Sequence, residues 1–304
     1  MTLNNKIKGT LSGIFAAVTY GVNPLALLLY AMGISVDTVL FHRFAIAALL
    51  LGVWMIARRE SFSLTRREFT VLTGLGILFS FSSLTLFTAF NYMDVGIAST
   101  LLFIYPVMVA AIMAFFFHER ITLSVIFSIL LALAGVALLC QPGPGGTVST
   151  LGVILVLLSS LAYAIYMVVV QTVRISMSTI KMTFYVVVVC AVVVFLHSIA
   201  SPAAQITPIT SAPAFAIAFG LAFIPTVLSI YLANISLQMI GSTKTAILGA
   251  LEPLTAVMIG AILYGETITA QLLTGISLIL CAVMFSILGK KLHIPALKLR
   301  SGNK

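Results

Sequence analysis

Charge is what this sequence has least of. Of 304 residues only 8% are Asp, Glu, Lys or Arg, and the acids number just 7. A water-soluble domain is charged at about a quarter of its positions, so this chain cannot clothe a water-facing surface. Cysteine is scarce too. Cys140, Cys190 and Cys281 lie in or at the edge of apolar runs, an odd number without a pairing pattern, which argues against a disulfide framework. The sequence has no GxxxxGK[ST] phosphate loop, so ATP is not the direct energy source. It also lacks an HExxH pair, paired intramembrane aspartates and a Ser-His arrangement, so no enzyme is expected. The net charge of +9 is not accompanied by the basic, aromatic-interleaved patches of RNA binders, and no nucleic-acid partner is expected. His118, His197 and His293 fall at span ends or in the tail, which leaves His42 without companions for a metal site. Neither a metal nor another cofactor is expected.

What the chain does have is apolar length. It is 61% hydrophobic with a mean hydropathy of +1.21, which reads as an all-α integral membrane protein. A span needs roughly 20 mainly apolar residues. On that basis ten transmembrane helices are predicted, over 9–30, 36–57, 68–90, 96–118, 122–140, 151–170, 180–200, 213–236, 244–264 and 270–289. Lys6 and Lys8 precede the first, as in a secretory signal, but its length and the spans that follow favour an uncleaved helix. With this count both termini share one side, and 15 of the 16 Lys and Arg residues fall there while the opposite loops contain none. The bias predicts cytoplasmic termini. The sixteenth basic residue is Arg43.

The Gly/Pro-rich stretch 141–149, QPGPGGTVS, splits the spans five and five. Residues 1–140 form a first repeat, 141–149 an extracytoplasmic linker, 150–289 a second repeat and 290–304 a basic cytoplasmic tail. The halves echo one another. YPVMVAAIMAFFFHERIT, from Tyr105, aligns with EPLTAVMIGAILYGETIT, from Glu252, at a constant offset of 147 residues. Pro106 thereby pairs with Pro253, and Glu119 with Glu266. A fainter echo links Tyr20-Gly21 to Tyr163-Ala164. Five spans per half put the second repeat upside down relative to the first, an inverted repeat of the kind that places a substrate site between the halves.

These features resemble the EamA-type drug/metabolite transporter superfamily, over about residues 10–290. The paired proline-to-glutamate segments carry most of the resemblance, together with the arginine of the second span. It implies movement of a small metabolite, most often export, across a bacterial inner membrane. It also implies a central cavity lined by spans one to four and six to nine, with spans five and ten as supports or homodimer contacts. Members carry amino acids, sugars, drugs and other solutes, so an amino acid or similar amphipathic solute is the expected cargo. A lipid or lipid-linked sugar flippase, or a non-transporting scaffold, is the alternative. The first span departs from the usual tryptophan-glycine start, since Asn23-Pro24 follows Tyr20-Gly21.

Arg43 lies six residues inward from Asp37, roughly 9 Å of helix. A cation at such depth costs about 2.5–3.5 kcal/mol or more and must face partners or a wet cavity. It either binds an anionic group or serves as a structural or snorkelling contact. Glu252, eight residues beyond Lys244, lies at a comparable depth. The two could neutralise each other, receive the opposite ends of a zwitterion, or leave Glu252 to take up a proton for coupling. His42 is a relay candidate or a histidine hydrogen-bonded between helices. Asn23, Tyr20, Tyr105, Tyr163, Tyr231, Ser82 and Ser229 are candidate cavity residues, as polar or aromatic groups within spans, with helix packing as the other reading. Pro24, Pro106, Pro225 and Pro253 mark candidate helix breaks or hinges. Glu119 and Glu266 each stand three residues before a threonine and read as structural turn residues that cap the next helix.

Overall fold

Several helices begin where a serine or threonine side chain accepts one of the first free amides. The computed structural model of the chain describes residues 3–92, 98, 101–117, 123–139, 149–173, 177–201, 205–264 and 270–288. The described chain is helical, and no strand occurs among the described residues. The elements are α1 (Leu3–Tyr20), α2 (Ala26–Ala31), α3 (Val36–Ala57), α4 (Arg66–Ala89), α5 (Tyr105–Phe117), α6 (Leu123–Leu139) and α7 (Thr150–Thr172). They continue with α8 (Thr179–Ala200), α9 (Ala212–Ala222), α10 (Ser229–Ile240), α11 (Ser242–Leu248), α12 (Leu251–Tyr264) and α13 (Ala270–Leu288). Ser35 caps α3 by accepting the Thr38 amide at 3.3 Å, and Ser178 caps α8 by accepting that of Lys181 at 3.1 Å. Thr65 and Glu68 form a reciprocal capping box at the start of α4, with bonds of 2.8 and 3.3 Å.

Six stretches are long and apolar enough to cross a membrane: Asn5–Ala31, Val36–Ala57, Arg66–Ala89, Thr150–Thr172, Thr179–Ala200 and Ala212–Ile240. Shorter apolar helices cover Tyr105–Phe117, Leu123–Gly135 and Leu273–Ala282. Glu119, Glu266, Cys140, Arg120, Arg174, the 290–304 tail and all of the 141–149 linker but Ser149 lie outside the described residues.

Helix pairing follows the repeat. α1 packs on α10 and α4 on α7, so each half's first span meets the other half's third. α3 pairs with α8, and α6 with α13, so each of these pairs also joins the two halves. Exchanging the halves leaves this pattern unchanged. Glycine serves close approach at one seam and a turn at another point. A Cβ on Gly135 would sit 2.8 Å from the Gly275 carbonyl, where α6 meets α13. Gly241, with φ at +88°, supplies the left-handed turn between α10 and α11 that other residues resist.

Four helices are interrupted, each at a proline singled out above. Pro24 lies in a 3₁₀ turn, Asn23–Leu25, between α1 and α2. Pro225 lies in a π-helical segment, Phe223–Leu228, between α9 and α10. Pro106 and Pro253 stand in the first turns of α5 and α12, after turns that end at Ile104 and Ala250. Proline offers no amide to the preceding turn, so these are the points at which the backbone ladder gives way.

Candidate functional site

Arg43, in the first half of α3, is 1% exposed. Each of its three guanidinium nitrogens donates to a partner on another element. Nε donates to Thr226 Oγ1 at 2.5 Å, Nη1 to Asn23 Oδ1 at 2.7 Å, and Nη2 to the Pro225 carbonyl at 3.4 Å. The rings of Phe44, Phe87 and Tyr20 lie 5.6, 5.7 and 5.9 Å from its central carbon. Those separations place the charge within reach of three aromatic faces. Arg43 thus ties the 3₁₀ break between α1 and α2 to the π-helical break between α9 and α10.

The sequence explains why acceptors are free at that break. In a regular helix residue 225 would donate its amide to Leu221, but proline has none. The Thr226 hydroxyl donates to the Leu221 carbonyl instead, at 2.8 Å, while accepting from Arg43. The π-helical offset leaves the Pro225 carbonyl available to the guanidinium.

Glu252 is the charge expected to answer Arg43, yet the two form no ion pair. Among the described residues a carboxylate–imidazole contact is found between Asp37 and His197, at 2.6 Å near one end of α3. Glu252 lies in the first turn of α12, where a carboxylate is favoured by the helix dipole. It lines two narrow crevices, and Tyr20 lines both as well. Asn23, Pro24, Phe90 and Pro253 complete much of the first; Tyr105, Tyr163, Ser229 and Thr245 contribute to the second. Each has about 20 Å³ of free room, about one water's worth. No Lys, Arg or His lines either crevice among the described residues.

The tyrosines form an aromatic wall. Tyr20 stacks on Tyr163 with centroids 6.3 Å apart and planes 4° from parallel. Tyr163 stacks on Tyr166 at 6.1 Å, and Tyr105 meets Tyr163 edge-on at 4.9 Å. Tyr20 and Tyr163 are the positions related by the fainter sequence echo, and Tyr105 and Glu252 those related by the stronger one. All four meet here. The second crevice is therefore built from matching positions of the two repeats, with one tyrosine exchanged for an acid. Gly21 permits the approach of α12: a Cβ there would collide with the Glu252 carbonyl and stand 2.6 Å from Thr255 Cβ.

Three candidates sit elsewhere. Tyr231 packs against Trp54 at 5.2 Å, away from the tyrosine stack. Ser82 bonds to Ser159 at 2.9 Å and so joins α4 to α7 as helix–helix glue. His42 Nδ1 bonds to the Thr38 carbonyl of its own helix at 2.8 Å, so its contact is within α3 and not between helices. Ser229 lines the second crevice while donating to the Ala16 carbonyl at 2.8 Å. Sequence reasoning passed over Tyr166, which donates to Asn234 at 2.9 Å, while Asn234 donates to Thr183 at 3.0 Å. That buried chain ties α7, α10 and α8 together; its signal was the unexplained asparagine in an apolar span. No group of His, Cys, Asp and Glu able to hold a metal occurs among the described residues.

A helical bundle with several membrane-spanning segments, interrupted helices and a buried polar crevice defines a polytopic membrane protein of transporter type. The EamA-like transporter family matches residues 7–141 and 150–288, and the chain belongs to that family. An uncharacterized transporter from Archaeoglobus fulgidus is 26% identical over 219 residues, 71% of this chain and 75% of its own length. A solved crystal structure at 17% identity superposes with a TM-score of 0.78, covers 95% of this chain and 99% of its own, and shares the fold.

Proposed function

We propose that the protein is a secondary transporter that moves a small amphipathic solute, such as an amino acid or related metabolite, outward across a bacterial inner membrane. Ten spans in two inverted five-helix repeats, divided at the 141–149 linker and with both termini cytoplasmic, would expose the crevice to each side in turn. The observation that carries this reading is the meeting of broken helices from both halves at one buried, polar crevice. Discontinuous helices at a repeat interface are where transporters bind their cargo and bend. The symmetric helix pairing and the two family-matched stretches support it. Arg43 holds the first and eighth spans together while the crevice is closed, and releasing its bonds would let those breaks move. Tyr20, Tyr105, Tyr163, Asn23, Ser229 and Glu252 contact the cargo, with Glu252 as the group that could carry a coupling proton.

Flux into proteoliposomes tests this. Labelled amino acids and amines, supplied down a gradient, are expected to enter faster than into protein-free vesicles. Ala256→Phe, which fills the first crevice from α12, is expected to stop that flux while the protein still inserts and stays monodisperse. If no solute outpaces empty vesicles, or the filled crevice transports normally, the reading fails.

A further inference from the structure

The charges around the crevice are unequal, and the inequality bears on the cargo. This inference rests on the transporter reading and narrows its substrate class. A zwitterion needs a cation and an anion on the protein. Arg43, the basic residue nearest in the sequence argument, has each nitrogen committed to Thr226, Asn23 or Pro225 and lines neither crevice. Glu252 lines both, without an ion pair to Arg43. In the lining a cargo carboxylate would therefore meet the Glu252 carboxylate, with Arg43 set behind it and bonded to Asn23 at 2.7 Å. An ammonium would meet a counter-charge, and the tyrosine faces beside it would add attraction through their ring quadrupoles.

The aromatic part has the same sense. Tyr20 and Tyr163 stand nearly parallel at 6.3 Å, with Tyr105 edge-on to Tyr163 at 4.9 Å. Electron-rich faces with one carboxylate at their margin make a receptor for an organic cation with an apolar or aromatic body. Tyr20 and Glu252 line both crevices, so swinging the Tyr20 ring aside would open them toward a larger space with Glu252 at its edge. We propose that the crevice beside Glu252 takes an amphipathic organic amine, bound by its ammonium to Glu252 and by its body to the tyrosines, in preference to a zwitterionic amino acid.

Phenethylamine and phenylalanine differ only by a carboxylate, which makes them the probe pair. Binding is measured by calorimetry on the purified full-length protein, and flux of each in proteoliposomes. Phenethylamine is expected to bind at least tenfold more tightly than phenylalanine, a comparison on the unmodified protein that needs no variant to fold. Glu252→Gln is expected to weaken phenethylamine at least tenfold. Tyr163→Leu should weaken it as well, whereas Tyr163→Phe, which keeps the ring face, restores it. Equal or tighter binding of phenylalanine, binding of neither, or indifference to Glu252→Gln would each overturn the inference. If phenylalanine is transported and phenethylamine is not, the amine site falls and the transporter reading stands. If phenethylamine binds through Glu252 but no solute crosses, the transporter reading falls and the amine site stands.

Discussion

Arg43 draws its hydrogen-bond partners from two separate elements, the 3₁₀ turn 23–25 and the π-helical segment 223–228, and a lysine could not replace it. Its guanidinium donates from two different nitrogens to Asn23 and Thr226 at 2.7 and 2.5 Å, while an ammonium carries its donors on one atom at the end of a flexible stem. Arg43→Lys is expected to leave one buried acceptor unpaired and to cost about 1–3 kcal/mol. Thermal unfolding in detergent measures it. Gly21→Ala is a separate test, of approach and not of bonding. Its added Cβ would stand 2.6 Å from Thr255 Cβ and must push α12 away. Overpacking of this kind costs about 1–3 kcal/mol, and the same melting experiment should register it. At this scale Arg43 was legible in the sequence as the exceptional cation, because the predicted topology accommodates every other basic residue. Its partners were not. An arginine side chain reaches several helices, and local sequence says nothing about which of them stands beside it.

Among elements, the π-helical segment 223–228 couples Pro225 to Thr226. The hydroxyl of Thr226 serves the Leu221 carbonyl because residue 225 has no amide to offer. Thr226→Val should therefore cost about 1–3 kcal/mol in the native sequence, since two buried groups lose a partner. In a Pro225→Ala background the new amide can serve Leu221 and the penalty should shrink. A double-mutant cycle on unfolding free energy is expected to show non-additivity of about 0.5 kcal/mol or more. Additive effects would mean that the two residues act independently. The four breaks were readable because proline acts locally on the backbone. Which side chains fill them was not: Asn23 was a candidate, whereas Thr226 is one of several hydroxyl residues in the 213–236 span. Ser82 and Tyr231 carried the same kind of polar signal, yet packing turned them toward Ser159 and Trp54.

For the whole molecule, sidedness is the accessible quantity. Single cysteines placed in the 60–65 segment and in the 141–149 linker should label from opposite faces of inside-out vesicles, with a tag after Lys304 on the face of the former. Labelling of both segments from one face would contradict the proposed ten-span topology. The pairing of first with third spans across the halves, through α1 with α10 and α4 with α7, also predicts that the halves do not fold apart. Each expressed alone should be degraded or aggregate, because the apolar surface that joins them would have no partner.

Composition and periodicity were sufficient for a helical, multi-pass membrane chain, for its family, and for the places where its helices break. Those properties depend on the solvent a segment prefers and on its own backbone, both written locally. The tertiary structure decided that Arg43 turns to Asn23 and Thr226 and not to Glu252, and that Tyr20, Tyr105, Tyr163 and Glu252 share one crevice. A buried polar group is satisfied by whatever acceptor the packing brings within about 3 Å, and helices far apart in sequence bring it there.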